Sequence, residues 1–153
     1  MADFTFSLRY EDVPTDVMQA ARRYLADTVA CSLCAYRVET VENLRQYALQ
    51  VGGRDDATIL GTNSGAPSSI AALVNGTMVR YLDANDISAL RVGGHSSDGI
   101  PALIAIAEKH QRSGMLTCLV ASYELLGALA DHEPKVSLFD SSAVAPYQLW
   151  RHD

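Results

Sequence analysis

Residues 115–130 read MLTCLVASYELLGALA, and this stretch decides the fold class. Its apolar side chains recur at helical spacing and leave few polar positions on any side: Leu116, Leu119, Val120, Tyr123, Leu126 and Leu129. A helix that is apolar almost all round is stable only when other elements cover it. The stretch therefore predicts a deeply buried helix over about residues 115–130, packed among further helices.

Four other segments show the 3.6-residue apolar period that indicates amphipathic helices. We predict them at about residues 14–36, 39–51, 67–82 and 99–111. Pro14, Pro67 and Pro101 suit the first turns of three of them, where no backbone N–H is needed, and Asp98 can cap the last. We interpret Gly76, which lies inside the third segment, as a point of close packing.

The remaining segments show no helical period. Residues 1–12 are expected to be irregular, and residues 57–60 form either a strand or an extended link. The fold class is therefore all-α, a bundle of about five helices over residues 1–131, with an irregular C-terminal tail over 132–153.

The composition excludes several classes of protein. The chain has 153 residues, of which 48% are apolar and 20% charged, with a formal net charge of −6. This balance is typical of a globular domain and unlike a disordered chain. No apolar run reaches the length of about 18 residues that spans a bilayer, and no basic cluster favours nucleic acid or an anionic membrane. The first residues lack a secretory signal, so we expect a cytoplasmic protein.

The cysteines and histidines predict neither a metal nor a cofactor. Three cysteines without framework spacing indicate reduced thiols. Cys31 and Cys34 form a C-x-x-C pair inside a predicted helix, and we interpret them as buried core residues rather than a redox or zinc site. The four histidines show no metal-ligand spacing.

The most polar stretch between two apolar helices runs from Asp83 to Asp98. Loops held by rigid helices concentrate binding and catalysis. Asp83 and Asp86 share one face if the preceding helix continues that far, and His95 can exchange a proton near neutral pH. Two interpretations stay open from the residues alone. One is a proton-transfer site formed by Asp83 and His95; the other is a helix end, a turn and an exposed loop histidine.

The same stretch resembles a known family. Residues 81–86 read YLDAND and residues 94–102 read GHSSDGIPA. They resemble the D-x-N-D-T and G-H-P-S-D-x-I-P-A motifs of the MmgE/PrpD family, which includes 2-methylcitrate dehydratase, cis-aconitate decarboxylase and iminodisuccinate epimerase. Shorter segments agree in order, so the similarity runs from about residue 10 to 130: Val13-Pro14, residues 26–28, 58–61, 72–76 and 122–124.

The resemblance implies the helical domain of that family and a lyase, of dehydratase or decarboxylase type, acting on a small carboxylate. It implies catalytic roles for Asp83 and His95. We assign substrate binding to Asp86, Arg91 and Ser96, although Arg91 fits a carboxylate anchor and a solvated arginine equally well.

Residues outside this chain are also implied. Family members are much longer, and their second histidine, their lysines and their α/β lid domain lie beyond the matching part, so we expect that lid domain to be absent here. We therefore predict a homodimer, or a hetero-complex with a chain that supplies the missing catalytic residues. Its interface is expected at or beside the surface from Leu119 to Leu129.

Two positions depart from the family motifs. Ile87 stands where the family has threonine, and Ser96 where it has proline. A threonine hydroxyl can hydrogen-bond a carboxylate and isoleucine cannot, so either the substrate differs or the chemistry is lost. The alternatives are a non-catalytic helical family remnant that binds a partner or ligand, and a diverged biosynthetic isomerase or cyclase.

Overall fold

The computed structural model describes residues 2–51, 55–87 and 94–132. Helices dominate these ranges, which confirms the all-α prediction. The α-helices are α1 (Ala2–Ser7), α2 (Thr15–Cys34), α3 (Glu39–Val51), α4 (Ser68–Tyr81), α5 (Ile100–His110) and α6 (Met115–His132). Short 3-10 helices cover Tyr10–Asp12 and Ser96–Gly99. The predicted irregular tail beyond residue 132 lies outside the described residues.

One short antiparallel ribbon joins α3 to α4. Its strands are β1 (Ala57–Thr58) and β2 (Gly65–Ala66), with Ala57 opposite Ala66. The ambiguous apolar stretch after residue 56 is therefore partly a strand. Buried Asn75 of α4 holds this ribbon, because its side chain accepts from the Leu60 N–H at 2.9 Å and donates to the Thr58 carbonyl at 2.9 Å.

Three local predictions are wrong. Residues 1–12 are not irregular, because α1 and a 3-10 helix occupy most of them; both are too short to show a period. Gly76 is not a close-packing point, since a Cβ there would meet nothing within 4 Å. Asp98 does not cap α5: Gly99 is the N-cap residue, without a side-chain cap bond, and Asp98 belongs to the 3-10 helix before it.

The core has two clusters. The first joins the end of α2 to α3, the ribbon, α4 and α5, around Ile59, Val74 and Met78. The second joins α2, α5 and α6, around Val17, Ile100 and Leu119. The prediction of a deeply buried α6 holds only around Leu119, Val120 and Ala121, because Cys118, Leu126 and Leu129 are exposed.

The cysteine interpretation also needs correction. Cys34 is exposed and Cys31 is half-buried, so the pair is not part of the core. Cys34 is the last residue of α2, and its side chain is exposed at the helix end. None of the helices in the described ranges is long and apolar enough to cross a membrane.

Candidate functional site

Asp83 lies just beyond the C-terminus of α4. Its N–H donates to the Arg80 carbonyl at 3.1 Å, and its φ of 50° places it in the left-handed region. Helices commonly end with one residue in this conformation, usually glycine. Because α4 ends at Tyr81, the condition for a helix face shared by Asp83 and Asp86 is not met, and Asp83 lies at a helix end. The Asp83 side chain is 72% exposed, so a small solute can reach it.

His95 faces Asp83 from the start of the 3-10 helix Ser96–Gly99. Its Nδ1 lies 2.5 Å from the main-chain carbonyl oxygen of Asp86. A carbonyl only accepts, so Nδ1 carries the hydrogen, and the lone pair of the neutral ring is on Nε2. That Nε2 is 3.7 Å from Asp83 Oδ1. The structure therefore brings together the two residues assigned to proton transfer.

Arg80 and Asn85 connect α4 to the 3-10 helix Ser96–Gly99, which follows His95. Arg80 Nη1 lies 2.9 Å from Asp83 Oδ1 and donates to Asn85 Oδ1 at 2.9 Å. Asn85 Nδ2 donates to Ser97 Oγ at 2.8 Å and to Asp98 Oδ1 at 3.0 Å. Sequence reasoning missed both residues, although Asn85 stands inside the family motif. Together they fix the loop ends that carry Asp83 and His95.

Both carboxylate oxygens and the carbonyl of Asp86 are hydrogen-bonded by other described residues. Its Oδ1 accepts from the Ser97 N–H at 3.0 Å and its Oδ2 from the Tyr123 hydroxyl at 2.9 Å. Its carbonyl accepts from His95. Tyr123 was expected as an apolar residue of α6 within a segment that resembles the family, and no periodicity could show that its hydroxyl reaches this loop. The Tyr123 ring also packs on Tyr24 of α2, with centroids 5.2 Å apart.

The other predicted site residues lie in different surroundings. Ser96 is buried in the 3-10 helix, with 8% exposure. Ile87, at the position of the family threonine, is 68% exposed. Arg91 falls outside the described residues.

Burial perturbs three ionisable groups near this cluster. It raises the pKa of Tyr123 above its usual range, and the adjacent Asp86 carboxylate raises it further. It raises the pKa of the Cys31 thiol on the neighbouring face of α2, where Asp27 adds to the effect. It also raises the pKa of Glu124, which follows Tyr123. Within residues 2–51, 55–87 and 94–132, no group of three or more potential ligands is arranged to hold a metal ion.

Comparison with known proteins identifies relatives of this domain. The model of the MmgE/PrpD N-terminal domain matches residues 1–140. The cis-aconitate decarboxylase-like protein oryM of Aspergillus oryzae is 26% identical over 129 residues, covering 84% of this chain and 27% of that protein. The probable 2-methylcitrate dehydratase of Saccharomyces cerevisiae is also 26% identical, covering 74% of this chain and 25% of that protein. The chain thus spans about a quarter of the length of these curated relatives.

Proposed function

The chain belongs to the MmgE/PrpD family, and we propose that it contributes the Asp83–His95 part of a lyase site acting on a small carboxylate. The observation that carries this proposal is the His95 Nε2 lone pair, 3.7 Å from an exposed aspartate. The names of the two relatives, a decarboxylase-like protein and a probable dehydratase, support the reaction class.

His95 is the proton-transfer group of this proposal. In a dehydration, Nε2 takes the proton from the carbon beside the substrate carboxylate, the electron pair forms the double bond, and the hydroxyl leaves with a proton from an acid. In a decarboxylation, carbon dioxide leaves and the protonated ring returns a proton to the carbon. Asp83 stabilises the imidazolium, which is formed by proton abstraction in the dehydration and gives up its proton in the decarboxylation.

The described part of the site is incomplete as a binding site for an anion. Asp83, Asp86 and Asp98 repel a carboxylate, and the cation among them, Arg80, is already paired with Asp83. Arg91 and Ser96 remain predicted substrate contacts. We therefore propose that further cations come from outside the described residues, including a partner chain. We also propose a cytoplasmic location, because a reducing compartment suits the exposed free thiol of Cys34.

The proposed partner surface is revised by the structure. Leu119 is 2% exposed and belongs to the core, whereas Leu126 and Leu129 are exposed on α6. We propose that a second copy or a complementary subunit covers the Leu126–Leu129 surface. Sedimentation velocity at micromolar concentration tests this. A concentration-dependent dimer that Leu129→Glu dissociates is expected, and a stable, folded monomer in both variants contradicts it.

An assay on hydroxy-tricarboxylates and cis-aconitate tests the lyase proposal. We expect turnover by the wild-type chain, alone or with its partner, and losses of at least about a hundredfold in His95→Gln and Asp83→Asn. His110→Gln, at the end of α5, is the matched control and keeps full activity. A wild-type protein that binds one of these compounds without converting it favours the non-catalytic remnant. A rearranged product without loss of water or carbon dioxide favours the isomerase or cyclase.

A further inference from the structure

The residues around Asp86 form a continuous chain of contacts from the core to His95. Tyr123 of α6 donates its hydroxyl to Asp86 Oδ2 at 2.9 Å, and the Ser97 N–H donates to Oδ1 at 3.0 Å. Both carboxylate oxygens of Asp86 therefore have donors from inside the protein. The Asp86 carbonyl then accepts from His95 Nδ1. Because its oxygens are already occupied, the Asp86 side chain is poorly suited to bind substrate. It is well suited to hold the His95 ring in place, and we call Asp86 with its donors Ser97 and Tyr123 the support of His95.

The support is anchored in rigid parts of the fold. Ser97 is fully buried, and Asn85 donates to its hydroxyl. Tyr123 packs against the second core cluster and against the ring of Tyr24. A side chain that sits in a packed helix and donates one directed hydrogen bond fixes its acceptor more firmly than a loop residue can.

We propose that Asp86 and Tyr123 are positioning residues for His95: they fix the carbonyl that holds Nδ1–H, so that the unprotonated Nε2 stays beside Asp83. This inference deepens the proposed function and rests on it for its catalytic meaning. It replaces the substrate-binding role predicted for Asp86. It assigns to Tyr123 a role that needs the hydroxyl, because the ring alone would pack equally well.

The tautomer of His95 is the measurement that tests this role without requiring activity. Long-range ¹H–¹⁵N spectra of the full chain, labelled with ¹⁵N-histidine, report which ring nitrogen carries the hydrogen. His95→Gln identifies the His95 signals among the four histidines. Spectra are recorded where titration shows the ring to be neutral. Among the described residues, the charged groups around the ring and its support are Asp83, Arg80, Asp98, Asp86 and, from α2, Asp27.

Tyr123→Phe removes only the hydroxyl. We expect wild type to show Nδ1–H, and Tyr123→Phe to shift both nitrogen resonances towards a mixture of tautomers. Where turnover is measurable, kcat falls roughly ten- to a hundredfold, with KM little changed. Ser122→Ala is the matched control, because it removes a hydroxyl of the same helix that bonds only the Leu119 carbonyl in the described structure. It keeps the wild-type spectrum.

Asp86 variants make the test independent of the tyrosine. Asp86→Ala is expected to reproduce the mixture, while Asp86→Asn retains an acceptor for Ser97 and restores most of the Nδ1–H signal. Wild-type spectra in folded Tyr123→Phe and Asp86→Ala overturn the proposal, as does an Nε2–H tautomer in wild type. If the variants show the expected tautomer shifts but the wild-type protein has no turnover, the positioning role is supported and only the lyase proposal is contradicted.

Discussion

Asp83 Oδ1 lies 3.7 Å from His95 Nε2 while its own backbone is left-handed, with a φ of 50°. A non-glycine residue in this region costs about 1 kcal/mol, although aspartate and asparagine tolerate it better than most. Residues in this conformation commonly follow a helix, and here the turn places the Asp83 carboxylate beside His95.

Asp83→Gly is therefore expected to abolish turnover and to leave the protein equally stable or up to about 1 kcal/mol more stable. The exposed ion pair with Arg80 offsets little of this gain, because such pairs contribute about 0–1 kcal/mol. Asp83→Asn removes the charge and stays within about 0.5 kcal/mol of wild type. Urea unfolding and the lyase assay measure both effects.

Gln111 provides the control for this strain. It ends α5 with a φ of 51°, away from the candidate site. Gln111→Gly should gain stability as Asp83→Gly does and keep full activity. A clear loss of stability in Asp83→Gly alone would show that the Asp83 carboxylate serves the fold rather than a reaction.

Asn75→Ala should destabilise the protein by about 1–3 kcal/mol, since it removes the buried amide that pairs the partly buried Leu60 N–H and Thr58 carbonyl. Thr77→Ala is the matched change on the same helix. Its hydroxyl bonds the Leu73 carbonyl at an exposed position, so a change within about 0.5 kcal/mol is expected. Equal losses in thermal unfolding would contradict the bridging role of Asn75.

Ile100→Ala should cost about 2–5 kcal/mol, because the side chain is 1% exposed and fills the second core cluster. Ile106→Ala, on the same helix but 55% exposed, should cost far less. Chemical denaturation of both variants compares them directly. Similar midpoints would mean that α5 does not pack as the structure shows.

The helices could be predicted from the sequence because their apolar period follows directly from burial on one face. The site could be predicted only in outline. Asp83 and His95 stand in a recognisable motif. The contacts that hold them could not be predicted, because they depend on where α4 stops and on which side of α6 faces the loop. The helix α4 ends before Asp83, whose backbone is left-handed, so Asp83 and Asp86 share no helix face.

The contact of Tyr123 with Asp86 could not be predicted from the sequence either. Its position among leucines indicates core packing, and its ring does pack there. Only the three-dimensional structure shows that its hydroxyl meets Asp86, 37 positions earlier. The prediction that Cys34 is a core residue is wrong for a related reason. Helical periodicity does not show whether the last turn of a helix is covered by the rest of the protein, and Cys34 is exposed there.

The alkaline stability of the protein should depend on Tyr123. Burial and Asp86 raise its pKa in the folded state, so the folded protein holds the phenol proton more tightly than the unfolded chain. The resulting stability is fully present below the unfolded pKa of about 10 and is lost as the pH rises above it. The free energy of unfolding should therefore fall more steeply above about pH 10 in wild type than in Tyr123→Phe. Tyr47→Phe, at an exposed position, should retain the wild-type slope.

Glu124 should oppose stability at neutral pH. Burial raises its pKa, so the folded state favours the protonated carboxyl, and the stability that this preference contributes is present below the unfolded pKa of about 4.3. It is lost as the pH rises through the folded pKa, and at neutral pH the folded protein carries a partly desolvated charge. Glu124→Gln keeps the shape and removes that charge, so it should stabilise the protein at pH 7. The gain over wild type should shrink as the pH is lowered towards 4. Glu42→Gln, which removes the same charge at an exposed position of α3, controls for net charge. Urea unfolding between pH 4 and pH 7 measures this difference in unfolding free energy. If the gain in Glu124→Gln is the same at both pH values, ionisation of Glu124 is not its cause.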